Sequence, residues 1–149
     1  MNIGDQAPDF TLKSDSGQDI TLYEELKKGP VVLIFYPKAF TPGCKKENCS
    51  FRDASEDLTK FGAIRIGISA DSEEVQKKFS VKYNLGYPLL ADTDKKVAKM
   101  YGVKRPGPLF SKRITFVISS DRKVASMIHS EFSMDKHVNE VIEVLSALK

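Results

Sequence analysis

Cys44 and Cys49 are the residues of this chain best suited to chemistry, and they are its only thiols. An apolar, strand-like run over residues 31–36 leads into a loop with prolines, and a helical pattern begins near Thr41 or Pro42. Cys44 therefore falls in the first turn of a helix, where unpaired N–H groups and the helix dipole stabilise an anion. A thiolate is such an anion, so Cys44 is expected to ionise more easily than a free cysteine and to react.

The length and the N-terminus bear on domain organisation and compartment. With 149 residues the chain is long enough for one domain with a substantial core, so we expect a single domain over 1–149. Residues 1–5 contain neither the basic nor the apolar part of a secretion signal, which predicts a cytoplasmic protein. Reducing conditions there disfavour a permanent disulfide. The remaining roles for the two thiols are catalysis, metal binding and core packing.

The composition is that of an ordinary soluble protein, with 41% hydrophobic and 29% charged residues. No apolar run approaches the 18 or so residues of a membrane span. The net charge is +3, and the lysines stand in pairs among acidic residues, which is typical of solvated faces. We therefore expect neither a membrane nor a nucleic-acid partner.

Hydrophobic periodicity predicts alternating strands and helices, which indicates a three-layer α/β fold. The segment 104–110 contains Pro106, Gly107 and Pro108 and is expected to be irregular. The predicted strands are 10–13, 19–22, 31–36, 63–69, 88–90, 114–118 and 124–128, and the predicted helices are 23–28, 42–60, 71–83, 95–101 and 134–149.

Pro37, Thr41, Cys44 and Glu47 are spaced as Pro-x-x-x-Thr-x-x-Cys-x-x-Glu. This pattern resembles the active-site signature of the peroxiredoxins. Cys49 stands where the Q type, the bacterioferritin-comigratory-protein group, carries its resolving cysteine. The likeness extends over nearly the whole chain, with further matching blocks at 4–10, 48–53 and 112–118.

The resemblance implies a thioredoxin-like fold with a central mixed sheet flanked by helices and an N-terminal β-hairpin. It also implies reduction of hydrogen peroxide and organic hydroperoxides, with no cofactor, and recycling by an external dithiol protein such as thioredoxin. A monomer is expected, because an intrachain thiol removes the need for a partner's thiol, and a dimer that serves stability stays open as the alternative. The roles carried over are peroxidatic cysteine (Cys44), resolving cysteine (Cys49), pocket residues (Pro37 and Thr41), organising carboxylate (Glu47) and arginine beside the thiolate (Arg113).

Without the resemblance these side chains keep plainer interpretations. Thr41 can be a simple helix cap, and Glu47 can complete a capping box. Arg113 can be a surface arginine at the start of a strand. Cys49 can be a buried packing residue.

The sequence also bears on competing functions. Cys-x4-Cys lacks the usual zinc spacing, and the only imidazoles, His129 and His137, are interpreted as ordinary surface or strand histidines. A general disulfide oxidoreductase would want Cys-x-x-Cys. A non-enzymatic redox sensor or holdase stays open as a third hypothesis.

Several neighbouring residues are less decisive. Lys45 stands where the family commonly has Thr, and Ser119 where an Asp commonly follows the strand. Neither departure removes a reacting group. Tyr36, Phe40 and Phe110 can line a substrate entrance or belong to the core.

Ionisation alone cannot supply the rate of a thiol peroxidase. Lowering a thiol pKa from about 8.5 to roughly 6 raises the thiolate fraction at neutral pH about thirtyfold. Nucleophilicity falls about thirteenfold over the same range, so the net gain is only about two- to threefold. Fixed donors must stabilise the transition state instead. The candidates are the Thr41 hydroxyl, the N–H groups of Gly43 and Cys44, and the Arg113 guanidinium.

The spacing of the two thiols predicts a conformational step. In an intact helix, residues five positions apart have Cα atoms roughly 8–9 Å apart, and their side chains point to largely opposite faces. A disulfide needs them within about 7 Å. A bond between Cys44 and Cys49 therefore requires the helix between them to unwind.

Overall fold

The computed structural model describes residues 1–104, 112–130 and 134–148. Nearly all of the segment predicted to be irregular, and Phe110, lie outside these ranges. The strands are β1 (Thr11–Lys13), β2 (Asp19–Thr21), β3 (Val31–Phe35), β4 (Ile64–Ser69), β5 (Leu89–Ala91), β6 (Ile114–Ile118) and β7 (Val124–His129). The helices are α1 (Leu22–Leu26), α2 (Pro42–Asp53), α3 (Ser55–Lys60), α4 (Glu73–Tyr83), α5 (Lys96–Met100) and α6 (Met134–Leu148).

Five strands form a mixed sheet in the order β5-β4-β3-β6-β7. The central strand β3 runs parallel to β4 and antiparallel to β6. Because β3 and β4 are parallel, the chain between them must cross over one face of the sheet, and α2 and α3 form that crossover. β1 and β2 pair separately as an antiparallel hairpin. The expected mixed sheet and N-terminal hairpin are confirmed.

Strand β3 is covered on both faces, as its uninterrupted apolar sequence predicted. Val31, Leu33 and Phe35 point into one cluster, which also contains residues of α1 and α5. Val32 and Ile34 point into the other, together with residues of α2, α3, α4 and α6. The sheet thus lies between two helical layers.

The single helix predicted over 42–60 is wrong, because the chain forms two helices that meet at Ala54. There φ is −83° and ψ is 13°, outside the helical range. Arg65 of β4 donates from Nη1 to the carbonyl oxygen of Phe51 at 2.9 Å, so one carbonyl at the end of α2 is satisfied from outside the helix. Phe51, Ala54 and Leu58 are all buried, so the apolar spacing continues across the break and conceals it in the sequence.

The loop between β3 and α2 is tied to the end of β4. The amide of Ala39 donates to Asp71 Oδ2 at 2.7 Å, and Ser69 Oγ donates to the same oxygen at 2.6 Å. Phe40 follows with φ at 66°, a left-handed conformation that is uncommon for a bulky residue. The start of α2 is therefore fixed by the sheet rather than left to a flexible loop.

Candidate active site

Cys44 lies in the first turn of α2, as predicted, and is fully buried. Its Sγ accepts hydrogen bonds from Arg113 Nη1 at 3.4 Å and from the backbone N–H of Lys38 at 3.5 Å. From the sequence, the amides of Gly43 and Cys44 are expected to donate to the sulfur. In the described part of the chain, the amide seen at bonding distance is that of Lys38, from the loop before the helix.

Arg113 directly precedes β6 and is only 6% exposed, so it is not the surface arginine of the plainer interpretation. The same Nη1 that reaches Cys44 lies 3.2 Å from Glu47 Oε1. Burial alone would lower the pKa of Arg113, but the negative charges of Cys44 and Glu47 outweigh it and raise that pKa above its usual range. A permanent cation therefore links the sulfur to the carboxylate.

Gly43 gives the guanidinium its place against α2. A Cβ atom at this position would lie 3.0 Å from Arg113 Nη2 and 3.5 Å from Cζ. That spacing is tighter than ordinary van der Waals contact, so a larger residue would push the guanidinium away. The glycine is thus explained by close packing and needs no unusual backbone angle.

Glu47 is fully buried, and its second oxygen lies beside a histidine. Glu47 Oε2 is 3.4 Å from His137 Nδ1, and the same nitrogen is 2.9 Å from Thr115 Oγ1. His137 Nε2 is 2.8 Å from the carbonyl oxygen of Ser130. The interpretation of His137 as an ordinary surface or strand histidine is wrong: it is a fully buried residue of α6. His129 does lie in a strand, β7, and is exposed.

Thr41 occupies the N-cap position of α2, but its side chain makes no capping hydrogen bond. Thr41 Oγ1 instead donates to the carbonyl oxygen of Lys38 at 2.8 Å. From the sequence, this hydroxyl is one of the expected donors. Since its proton is already used, the hydroxyl offers its lone pairs to a ligand. Pro37 is half-buried in the same loop.

Cys49 lies in the same uninterrupted helix as Cys44, and both are reduced. Between them, Asn48 Nδ2 donates to the carbonyl oxygen of Cys44 at 2.9 Å. Tyr87 Oη lies 2.7 Å from Asn48 Oδ1 and 3.0 Å from the Asn48 carbonyl oxygen. Burial raises the pKa of Tyr87 well above its usual range, so the phenol keeps its proton and donates. This pair of side chains holds the segment between the thiols helical.

The two departures from the family pattern lie outside this cluster. Lys45 is exposed, with Nζ 5.1 Å from the centre of the Tyr83 ring. Ser119 Oγ bonds to Asp121 within the turn between β6 and β7, and the Ser119 amide donates to the carbonyl of Lys123 at 2.9 Å. Neither substitution touches the thiol, and the turn forms with serine in place.

Two of the aromatic residues that could line an entrance or belong to the core, Tyr36 and Phe40, differ clearly in burial. Tyr36 is fully buried and donates to Gln76 Oε1, so it belongs to the core. Phe40 is 44% exposed, and its ring packs edge-on against Phe79 with centroids 5.2 Å apart. Phe40 therefore forms part of the protein surface, in the loop that leads into α2.

Sequence reasoning missed four contributors to the site: Lys38, Asn48, Tyr87 and His137. For His137 a signal was available, because it stands four residues before the buried Val141 and so shares the apolar face of α6. The backbone of Lys38 and the partner of Tyr87 have no signature in sequence. Over the described ranges, no group of three or more His, Cys, Asp and Glu side chains could hold a metal ion, and no helix could cross a membrane.

Comparison with known proteins gives concordant results. The model of the AhpC/TSA family matches residues 3–127. The crystal structure of peroxidoxin BcpB from Mycobacterium tuberculosis is 45% identical, with a TM-score of 0.96 over 100% of this chain and 99% of that one. The chloroplastic peroxiredoxin Q of Sedum lineare is 41% identical over 149 residues, covering 98% of this chain and 78% of the relative.

A third relative is known with a trapped intermediate and ligands. It is the bacterioferritin comigratory protein of Xanthomonas campestris, studied for its alkyl peroxide reduction activity. It is 26% identical, with a TM-score of 0.88 over 99% of this chain and 97% of that one. These likenesses confirm the expected fold class over the length of the chain.

Proposed function

This chain belongs to the AhpC/TSA family as a peroxidase of the peroxiredoxin Q type, and on that premise we propose the following mechanism. Cys44 reduces hydrogen peroxide or an organic hydroperoxide and becomes a sulfenic acid. Cys49 resolves that intermediate as an intramolecular disulfide, and an external dithiol protein such as thioredoxin regenerates both thiols. The observation that carries the proposal is the guanidinium of Arg113, 3.4 Å from the Cys44 sulfur.

In the first step the thiolate of Cys44 attacks the nearer peroxide oxygen along the O–O axis. The S–O bond forms as the O–O bond breaks, and the leaving oxygen takes up a proton to become water or an alcohol. Negative charge therefore moves from sulfur to the leaving oxygen. Arg113 stabilises both, because a delocalised guanidinium presents several N–H donors from one fixed plane. The Lys38 amide supports the sulfur from the loop side.

Glu47 serves to hold the arginine in place. Its Oε1 lies 3.2 Å from Nη1 of Arg113, and both side chains are buried, so the pair is shielded from water. A buried ion pair restricts the guanidinium to one orientation more strongly than an exposed pair would. This supports the organiser role over a capping box.

Thr41 and Pro37 are proposed to shape the peroxide pocket. With its proton on the Lys38 carbonyl, the Thr41 hydroxyl can accept a hydrogen bond from the O–H of a hydroperoxide. That bond would orient the substrate with its attacked oxygen toward the sulfur. Pro37 has no N–H to solvate and narrows the conformations of the loop.

The second step joins the two sulfurs. The thiolate of Cys49 attacks the sulfenic sulfur of Cys44, the S–S bond forms, and the oxygen leaves as water. Both cysteines belong to α2, whose geometry holds them roughly 8–9 Å apart, whereas a disulfide needs about 7 Å or less. We therefore propose that α2 unwinds between them in each turnover. The contacts of Asn48 with Cys44 and Tyr87 must break in that step.

The external reductant supplies the two electrons that complete the cycle. One of its thiolates attacks the disulfide, and its second thiol releases the mixed disulfide. Because Cys49 lies in the same chain as Cys44, turnover needs no thiol from a second copy, and we propose a monomer as the active unit. Turnover in proportion to protein concentration, with a monomer seen by size-exclusion chromatography, would support this.

Two single variants test the mechanism, each removing one of the two thiols of α2. Cys44→Ser should abolish peroxide consumption with thioredoxin as reductant. Cys49→Ser should consume one equivalent and stop at a sulfenic acid that dimedone traps. Normal cycling of Cys49→Ser with thioredoxin would show that its resolving role is wrong. Residual turnover in Cys44→Ser would remove the basis of the whole proposal.

A further inference from the structure

Glu47 lies between two basic side chains in a region closed to water. Its Oε1 faces Arg113 Nη1 at 3.2 Å, and its Oε2 faces His137 Nδ1 at 3.4 Å. Glu47 and His137 are fully buried, and Arg113 is 6% exposed. Since Arg113 also reaches the Cys44 sulfur, four ionisable groups form one continuous buried chain.

The surroundings of the His137 ring favour its protonated form. Nε2 lies 2.8 Å from the Ser130 carbonyl, which only accepts hydrogen bonds, so Nε2 carries a proton. A neutral ring could accept at Nδ1 from the Thr115 hydroxyl, but its lone pair would also lie 3.4 Å from the Glu47 carboxylate oxygen, and the two would repel. An imidazolium places a proton on Nδ1, which Thr115 Oγ1 can accept at 2.9 Å, and it brings a positive charge to 3.4 Å from Glu47 Oε2.

The summed charge of Cys44, Glu47 and Arg113 also favours the protonated form of His137. A Cys44 thiolate and a Glu47 carboxylate carry two negative charges, and Arg113 supplies one positive charge. A buried cluster with an uncompensated charge is strongly disfavoured. A protonated His137 would bring the sum to zero.

We propose that His137 is an imidazolium in the reduced protein and pairs with Glu47 Oε2 as Arg113 pairs with Oε1. It acts through Glu47 as a positioning residue: by holding Oε2, it leaves Oε1 to orient Arg113 against the sulfur. The proposal rests on the proposed function of Cys44, since the count of charges includes its thiolate.

The other charged groups described on α6 and β7 are placed differently from Glu47. On α6 itself, Lys136 and Glu140 pair with each other at 3.8 Å; Lys136 is exposed and Glu140 is half-buried. On β7, His129 is exposed. Within residues 1–104, 112–130 and 134–148, the groups that face the ring include Glu47 from α2, Thr115 from β6 and the Ser130 carbonyl after β7.

The first test reads the ring directly and needs no peroxide. His129 and His137 are the only histidines, so ¹⁵N spectra of the reduced chain contain two imidazoles. We expect both nitrogens of His137 to be protonated at neutral pH, and Glu47→Gln to return the ring to a neutral form. His129 provides the reference in both proteins. A neutral His137 in the reduced wild-type chain would overturn the proposal.

The second test measures coupling in the reaction of Cys44 with hydrogen peroxide. His137→Gln should lower the second-order rate constant on the order of tenfold, as misplacement of a stabilising group does. In a Glu47→Gln background the same change should cost less than about twofold, because residues that act through one another are not additive. An equal loss in both backgrounds would show that His137 does not act through Glu47.

Leu145→Ala is the matched control. Leu145 is a buried residue of α6 about two turns beyond His137, so its truncation loosens the same helix away from the charged chain. It should lower the unfolding temperature and leave the peroxide rate unchanged. A rate loss as large as that of His137→Gln would mean that helix packing, rather than charge, explains the effect. If the wild-type chain failed to react with peroxide, the proposed function would be wrong, while the spectra would still decide the charge of His137.

Discussion

The proposed unwinding of α2 can be tested with a single hydroxyl. Tyr87 Oη lies 2.7 Å from Asn48 Oδ1, and Asn48 Nδ2 lies 2.9 Å from the Cys44 carbonyl. These bonds exist only while the segment is helical. Tyr87→Phe removes one donated proton, and the net value of such a bond is about 1 kcal/mol. The unwound form then becomes about fivefold more populated relative to the helical one, because RT is about 0.6 kcal/mol.

Tyr87→Phe should therefore accelerate formation of the Cys44–Cys49 disulfide about fivefold and leave the peroxide step unchanged. The chain has no tryptophan, so rapid acid quench followed by intact mass is the suitable assay. Sulfenic acid and disulfide differ there by one water. An unchanged or slower disulfide step would refute the reasoning, because unwinding would then not limit that step.

Tyr101→Phe is the matched control for this experiment. Tyr101 is also buried, and its Oη donates to the Pro8 carbonyl at 2.6 Å, within the other core layer of the sheet. It removes a comparable hydrogen bond far from the unwinding segment. A similar loss of stability is expected, with no change in either step.

Three further predictions concern the guanidinium and a buried carboxyl. Arg113→Met should lower the rate constant of Cys44 with peroxide on the order of a hundredfold in a competition assay, and a loss below about threefold would contradict its role. Gly43→Ala, with a Cβ 3.0 Å from Arg113 Nη2, should lower that rate on the order of tenfold at nearly unchanged thiol content; a wild-type rate would show that the guanidinium adapts. Burial raises the pKa of Asp92, so the folded chain binds the extra proton and stability should fall as pH rises above about 3.9 through the raised value. Asp92→Asn should flatten that slope in urea unfolding curves, and an equal slope would contradict the assignment.

Much of the fold could be predicted because its signals are local. Three local patterns each specify one element: the apolar run of β3, the alternating polarity of the hairpin strands, and the loop with prolines before α2. Alternation of strands and helices then predicts the layers. The break at Ala54 could not be read in this way, because Phe51 and Leu58 keep their spacing across it.

The site was predictable as far as its motif extends. Cys44, Glu47 and Arg113 were named from the sequence, and they do converge. What joins them to the rest of the protein depends on contacts between distant segments. Asn48 and Tyr87 are 39 residues apart, and His137 reaches Glu47 from the last helix. The apolar face of α6 marks His137 as buried, but the partner of each of these side chains leaves no trace in the sequence, so only coordinates reveal it.

The most direct test of the central claim is the intact mass of the reduced chain after one equivalent of hydrogen peroxide, under denaturing and non-reducing conditions. The account predicts a monomer lighter by two hydrogens, with Cys44 and Cys49 joined in the digest. A monomer with both thiols still open to alkylation, a retained oxygen, or a disulfide-linked dimer would contradict it.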